Sequence, residues 1–355
     1  MKSITRFLSL ALILLYTNQL LAQMPVQYDG AALLQKLKKL KVVGKVLYIA
    51  AHPDDENTRL ITWLANEKNI TTAYLSLTHG EGGQNLIGTE LGEDLGWIRM
   101  HELLQARQID GGTQFFSRAA DFGFSKNYKE TLKFWNKDKI LEDITYVIRS
   151  FQPDIIITRF SPLPSNTHGH HTTSAMLALD ASESAADTNF YYNQLDKVQP
   201  WSTQRVIWNT SFYFFDLNKA INKDTLMQVD VGTFIPLLGK SCTEIAALSR
   251  SCHKSQGFGT QSVRGEVLEY FIPLSGSKAS DKNPLSGINF NWNRIKNSSS
   301  IQKKIDTLIK KFNPEQPQAV ASDLLTLYQL MYNHPEREFI QYKMNEVAEL
   351  IKQCL

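Results

Sequence analysis

The sequence predicts an α/β fold: a mostly parallel sheet with helices on both faces, followed by a C-terminal helical extension. Three observations predict it. Short, almost wholly apolar runs at 46–50, 72–77 and 154–158 read as strands buried on both faces. Stretches with apolar residues at helical spacing separate them. His and Asp side chains gather just beyond the first and last of these strands, where open parallel sheets bind their ligands.

In chain order, strand 46–50 runs into a helical stretch whose Leu60, Ile61 and Leu64 share a face. Strand 72–77 follows, then the Gly-rich turn Gly80-Glu81-Gly82-Gly83 and a long helix over 93–109. In that helix Leu95, Ile98, Ala106 and Ile109 form the apolar face, with Glu102 inside it and Arg99 beside it. Gln114-Phe115-Phe116 is a short strand candidate. A helix at 138–150, carrying Ile140, Ile144, Val147 and Ile148, leads into strand 154–158, and His171 opens a helix through Ala181. Crossovers between the parallel strands are expected to be right-handed. From 200 to 275 strand signals dominate (205–208, 212–215 and 269–272), with a helix near 241–253, and these extend the same sheet. The polar stretch 276–300, rich in Ser, Lys and Asn, reads as a linker or long loop. Helical patterns over 301–312, 319–332 and 336 onward form the extension. The chain therefore divides into an α/β domain over 23–275 and helices over 301–355.

Residues 1–22 read as a cleavable export signal. Lys2 and Arg6 precede an apolar run at 7–16, which suits a secretory core and is too short for a spanning helix of roughly 20 residues. The mature chain is expected in a periplasmic or extracellular space, with no later segment able to span a membrane. Without Lys2 and Arg6 the formal charge of +3 falls to about +1, too little for a polyanionic partner, so nucleic acid is excluded. Cys242, Cys252 and Cys354 make no disulfide framework. The first two, placed along one helix, stand about 15 Å apart, beyond the roughly 7 Å that a bridge allows.

Residues 51–56 read Ala-His-Pro-Asp-Asp-Glu directly after the first strand, and His168-Gly169-His170-His171 follows strand 154–158. His52 and Asp55 flank a strand-to-helix turn and can reach one point near the helix N-terminus. An imidazole and a carboxylate are ordinary zinc ligands, and a catalytic zinc takes three protein ligands and keeps a position for water. His171 is the third ligand on this reading, with His170 its competitor. Asp54 is the base for that water, whose pKa zinc lowers to about 7. Read singly, Asp54 or Asp55 could simply cap the helix, and His52 could be a core histidine. The two clusters together favour a metal site.

The hexapeptide resembles the AHPDDE signature of the PIG-L, or LmbE-like, zinc-dependent N-deacetylases, which remove acetyl groups from N-acetylglucosamine units of glycoconjugates. The likeness continues through Gly80-Glu81-Gly82-Gly83, through Ile98-Arg99-Met100-His101-Glu102-Leu103, and through Pro153-Asp154 to His168. It ends near His253-Lys254-Ser255-Gln256 and so covers about residues 40–260. The resemblance implies a Rossmann-like sheet, zinc on His52, Asp55 and His171, Asp54 as general base, and His168 as an imidazolium that stabilises the oxyanion. One departure stands in the second motif. The family's His-Pro-Asp-His is here His168-Gly169-His170-His171, so His170 replaces an aspartate that would orient the neighbouring imidazole and raise its pKa.

Arg99 is expected either to pair with Glu102 or, as the resemblance favours, to reach the pocket and bind sugar hydroxyls or a phosphate. Glu81 and His170 join it as candidate substrate-binding residues. His79, His101 and His334 are expected in loop or structural roles, and His253 in packing or at the rim. The predicted function is an exported zinc hydrolase that removes the N-acetyl group from an N-acetylglucosamine-type sugar or glycoconjugate. The alternatives are an amidohydrolase acting on a non-sugar N-acyl substrate at the same site, and a catalytically silent carbohydrate-binding protein, which the His170 departure motivates.

Overall fold

The computed structural model describes residues 27–164, 168–210 and 222–355. The export signal expected at 1–22 and the strand expected at 212–215 lie outside the described residues. Lys45–Ala50 (β1), Thr71–Ser76 (β2), Thr113–Phe116 (β3), Ile155–Thr158 (β4) and Arg205–Thr210 (β5) are mutually parallel. Met227–Asp230 (β6) is followed by a small hairpin, Phe234–Ile235 (β7) and Lys240–Ser241 (β8), and then by Leu268–Gly276 (β9). The described seven-stranded sheet runs β3-β2-β1-β4-β5-β9-β6, with β9 antiparallel to both of its neighbours. The mostly parallel sheet expected from the apolar runs is thus present, and 205–208 and 269–272 do extend it.

Strand order reverses between β1 and β4, which pair in parallel with Ile49 opposite Thr158. Their carboxyl ends open side by side, the place where such sheets leave a crevice. Alternate residues of β1 supply opposite cores. Val46, Tyr48 and Ala50 pack with Leu60 of Thr58–Thr62 and Leu64 of the π turn Trp63–Glu67 that continues it (here α1 is Gly30–Lys39 and α2 is Thr58–Thr62). The same core takes Leu103 of Glu93–Asp110 (α3). Leu47 and Ile49 face the other way, onto Ile144 and Leu177, beyond Tyr128–Phe134 (α4) in the chain and carried by Lys137–Phe151 (α5) and Gly169–Ala186 (α6).

Cys242–Arg250 (α7) lies on the α2–α3 face of the sheet and brings Ile245 into that core. The helical extension consists of Ser299–Lys311 (α8), Ala321–Tyr332 (α9) and Gln341–Cys354 (α10). These close a third core with Leu33 and Leu37 of α1 through Ile305, Leu324 and Val347. All three cysteines are free thiols. Among the described residues no helix is long and apolar enough to cross a membrane.

One sequence expectation changes, and one pair of alternatives is decided. The buried side of α3 carries Leu95, Arg99, Leu103, Ala106, Arg107 and Asp110, while Ile109 is 39% exposed. Its buried stripe is rotated from the one that apolar spacing picks out, because buried charges here have partners on other elements. The stretch 276–300 is a packed loop that begins at the end of β9. Arg205 donates to the carbonyls of Ser277, Pro284 and Ser286, and Val43 N–H donates to the Phe290 carbonyl at 2.8 Å. Trp292 is fully buried, and its indole N–H reaches the Leu40 carbonyl at 2.7 Å. Truncation there leaves a cavity between the α/β domain and its extension. Trp292→Ala should therefore lower stability by about 3–5 kcal/mol, read from the urea midpoint at constant slope.

Candidate active site

The turn at 51–57 projects from the end of β1 over the crevice. Tyr74 Oη–H donates to the His52 carbonyl, and the Arg250 guanidinium donates to the Asp54 carbonyl. The Asn57 side chain accepts the Leu60 N–H at 3.2 Å and caps α2, so neither Asp54 nor Asp55 is spent as a helix cap. On the neighbouring strand end, His168 caps α6, with its Nδ1 accepting the His170 N–H at 3.1 Å. Gly169 is required between them: a Cβ there would stand 2.3 Å from the Asn127 carbonyl oxygen.

Asp55 sits at the centre. Its Oδ2 accepts the His52 backbone N–H at 2.7 Å and the His52 Nδ1–H at 3.0 Å, while its Oδ1 lies 3.4 Å from His171 Nε2. Burial opposes the Asp55 charge, but His171 and His52 hold its pKa well below the ordinary carboxylate value. Burial likewise opposes a charge on His52, yet Asp55 raises that imidazole above its usual pKa. His171 stacks on Phe160, with ring centroids 3.7 Å apart. One donor atom from each of His52, Asp55 and His171 falls within 4.8 Å of the others. Two donors on one tetrahedral zinc stand roughly 3.3 Å apart, close to the 3.0 and 3.4 Å spacings at Asp55. Two imidazoles and a carboxylate fit zinc in number, chemistry and spacing.

His52, His168 and His170 form an overlapping donor group within the same 4.8 Å limit. His170 is fully buried, stacked on Trp135 at 4.9 Å, with Nδ1 3.0 Å from His52 Nε2. Its position behind His52 corrects the expectation that it contacts substrate. Burial, with the charge of His52, pushes its pKa down to about 2. The buried Asp121 carboxylate stands 3.8 Å from His170 Nδ1 and 4.0 Å from His52 Nε2. Burial and then the charges of His52 and His171 push the His168 pKa down to about 4 in the metal-free protein. With Nδ1 accepting a hydrogen bond, its proton belongs on Nε2.

Arg99 is buried behind Asp54. Its Nη2 donates to Asp54 Oδ1 at 2.7 Å and its Nη1 to the Gly80 carbonyl at 2.8 Å. A Cβ at Gly80, where φ is +80°, would meet Arg99 Nη1 at 2.5 Å, so glycine is needed for this approach. Arg99 therefore pairs with Asp54 rather than with Glu102, which instead accepts the Ser255 N–H and Oγ–H at 2.7 and 2.6 Å. Glu81 Oε1 accepts the Asp121 N–H at 3.0 Å.

The remaining histidines pack as expected. His79 lies edge-on to Phe116, His101 stacks on Trp97, and His334 reaches the Lys296 carbonyl. His253 joins a fully buried charge network, its Nε2 2.8 Å from Glu56 Oε1, with Arg107 bonded to both Glu56 and Asp110. Beside Asp54, Asp55 and His171 opens a cavity of about 540 Å³ whose other walls include Arg159, Arg250 and Phe258. Sequence reasoning singled out none of Asp121, Arg159 and Arg250. The only available signal was that 117–125 and 159–164 follow β3 and β4, at the same edge of the sheet as the motif.

The Glu56 carboxylate is held below its ordinary pKa: burial opposes this, and His253 and Arg107 outweigh it. A depressed native pKa contributes stability above the unfolded value of about 4.3, and that contribution is lost as pH falls through the native pKa. Glu56→Gln should therefore cost about 3 kcal/mol at pH 7. The gap to the unsubstituted protein should shrink below about pH 4.3, in urea unfolding at both pH values.

Residues 47–182 match the family described as PIG-L: GlcNAc-PI de-N-acetylase. Among solved structures, the chain is similar to N,N'-diacetylchitobiose deacetylase from Pyrococcus horikoshii, at 20% identity over 60% of this chain and 70% of that one, with a TM-score of 0.43. It is also similar to 4-carboxy-2-hydroxymuconate hydratase from Pseudomonas putida, at 17% identity over 67% of this chain and 99% of that one, with a TM-score of 0.45. No curated protein matches it.

Proposed function

We propose that this chain, whose residues 47–182 match the PIG-L family, is a zinc-dependent hydrolase that removes the acetyl group from an N-acetylglucosamine-type sugar, free or within a glycoconjugate. The convergence of His52, Asp55 and His171 on one point, with Asp54 fixed beside them, carries this reading. A zinc ion on those three residues would supply Lewis acidity toward a water and toward the acyl carbonyl.

The chain's own groups do the rest. Asp54 takes the proton of the attacking water and returns it to the departing amine. Arg99 holds the Asp54 carboxylate by one oxygen and so fixes its orientation. His168, whose Nδ1 accepts the His170 N–H, presents its Nε2–H to the carbonyl oxygen as negative charge develops there, a contribution often worth about 3 kcal/mol per donor. The adjoining cavity suits a polyhydroxylated ring, since Thr260 and Gln261 offer hydrogen bonds and Phe160 and Phe258 offer flat faces. Export through the segment at 1–22 belongs to the same proposal and would place the enzyme where glycoconjugates are exposed.

Asp54→Ala should keep its zinc, measured by elemental analysis, and lose about 10²–10⁴-fold in acetate release from N-acetylated sugars. A fully active variant would exclude Asp54 as the base.

A further inference from the structure

We propose that His170 is a positioning residue of the metal site: its Nδ1 accepts the His52 Nε2–H and so holds His52 in the tautomer and orientation that present Nδ1 to the cation. This deepens the zinc reading and rests on it for the cation shared by His52, Asp55 and His171. The two ring nitrogens of His52 face different neighbours. Nδ1 lies 3.0 Å from Asp55 Oδ2, and Asp55 meets His171 through its other oxygen. Nε2 lies 3.0 Å from His170 Nδ1. A neutral imidazole carries one proton, and a nitrogen that ligates a metal carries none. With Nδ1 on the cation, the His52 proton belongs on Nε2, and the atom it meets is His170 Nδ1.

The surroundings of His170 fix it for that contact. Its ring is fully buried, stacked on Trp135 with centroids 4.9 Å apart and set edge to face against Phe122 at 4.4 Å. Its backbone N–H is held by His168 Nδ1 in the first turn of α6. Among the described residues its Nε2 has no hydrogen-bonding partner, so the ring's polar contact is the one with His52. The Asp121 carboxylate is the rival acceptor, but at 4.0 Å from His52 Nε2 it stands beyond hydrogen-bond range. A metal-bound histidine is commonly backed on its second nitrogen by a carboxylate, a backbone carbonyl or water. Here another imidazole fills that place, at the position where His-Pro-Asp-His has its aspartate. A neutral acceptor draws less on the His52 proton than a carboxylate would, which leaves His52 a weaker donor to the cation.

Zinc affinity, measured by competition with a chelator, tests this without reference to turnover. His170→Leu removes the acceptor at similar volume and should weaken zinc binding about 10- to 100-fold. His170→Asn offers an amide oxygen near the place of Nδ1 yet is a poor zinc ligand, and it should recover most of that loss. Urea midpoints taken without zinc separate an effect on the site from one on the fold. In the zinc-loaded, unsubstituted protein, long-range ¹H–¹⁵N spectra should show His52 metal-bound through Nδ1 and protonated on Nε2, a result that stands even where the Leu variant does not fold. Undiminished zinc affinity in His170→Leu would overturn the inference, as would His52 bound through Nε2. Equal losses in the Leu and Asn variants would overturn it too, because they would make His170 a ligand rather than a support. The expected spectra and rescue in a protein that releases acetate from no N-acetylated sugar would sink the deacetylase reading and leave this one standing.

Discussion

The site depends on one topological constraint: β1 and β4 are parallel neighbours on either side of the point where strand order reverses. Two pieces of chain more than a hundred residues apart therefore leave the sheet side by side, and each leads to its metal-capable side chains before or at the start of the next helix. Asp55 turns that proximity into a site. One oxygen faces His52 from its own turn and the other faces His171 from α6, so a single carboxylate spans the two strand ends. An uncompensated carboxylate this well buried would be costly. The two imidazoles, or a cation between them, are the compensation.

Behind this first layer every charge is tied to another element. Arg99 crosses from α3 to Asp54, and Arg107 and His253 clamp Glu56, the last residue of the hexapeptide. Asp110 ties Arg107 to Ser249 on α7. These pairs buy little net stability over an apolar core. Their effect is positional, since the turn at 51–57 is pinned from α3, α7 and β2 at once. On the other side, Trp135 and the 121–127 loop close over His170 and His168. The catalytic groups thus face the cavity from a rigid backing, the arrangement that a reaction sensitive to small displacements requires.

How much of this was legible in the sequence follows from the range of each interaction. β1, β2 and β4 were readable because strands buried on both faces must be continuously apolar, whereas β6, β7 and β8 are too short and too exposed to leave a pattern. Of the residues that meet at the site, His52, Asp54 and Asp55 were readable because they follow the end of β1 directly, and His171 because it stands in a cluster of three histidines at the start of the helix after β4. The failures are long-range. Apolar spacing misplaced the buried face of α3 because Arg99, Arg107 and Asp110 are buried on the strength of partners elsewhere in the chain. The partners of Arg99 and Glu81, Asp54 and the Asp121 backbone, were invisible for the same reason, being 45 and 40 residues away. Asp121 itself sits in a loop after β3 with no local pattern, and only the fold brings it to the histidines.

The central claim is that one cation is shared by His52, Asp55 and His171, and the overlapping trio of His52, His168 and His170 supplies its natural competitor. Zinc-edge X-ray absorption on the loaded protein counts imidazole ligands directly. The account predicts two imidazoles and a carboxylate oxygen at about 2.0–2.2 Å, with the carboxylate contribution lost in Asp55→Ala. Three imidazoles with no carboxylate, unchanged by that substitution, would contradict it.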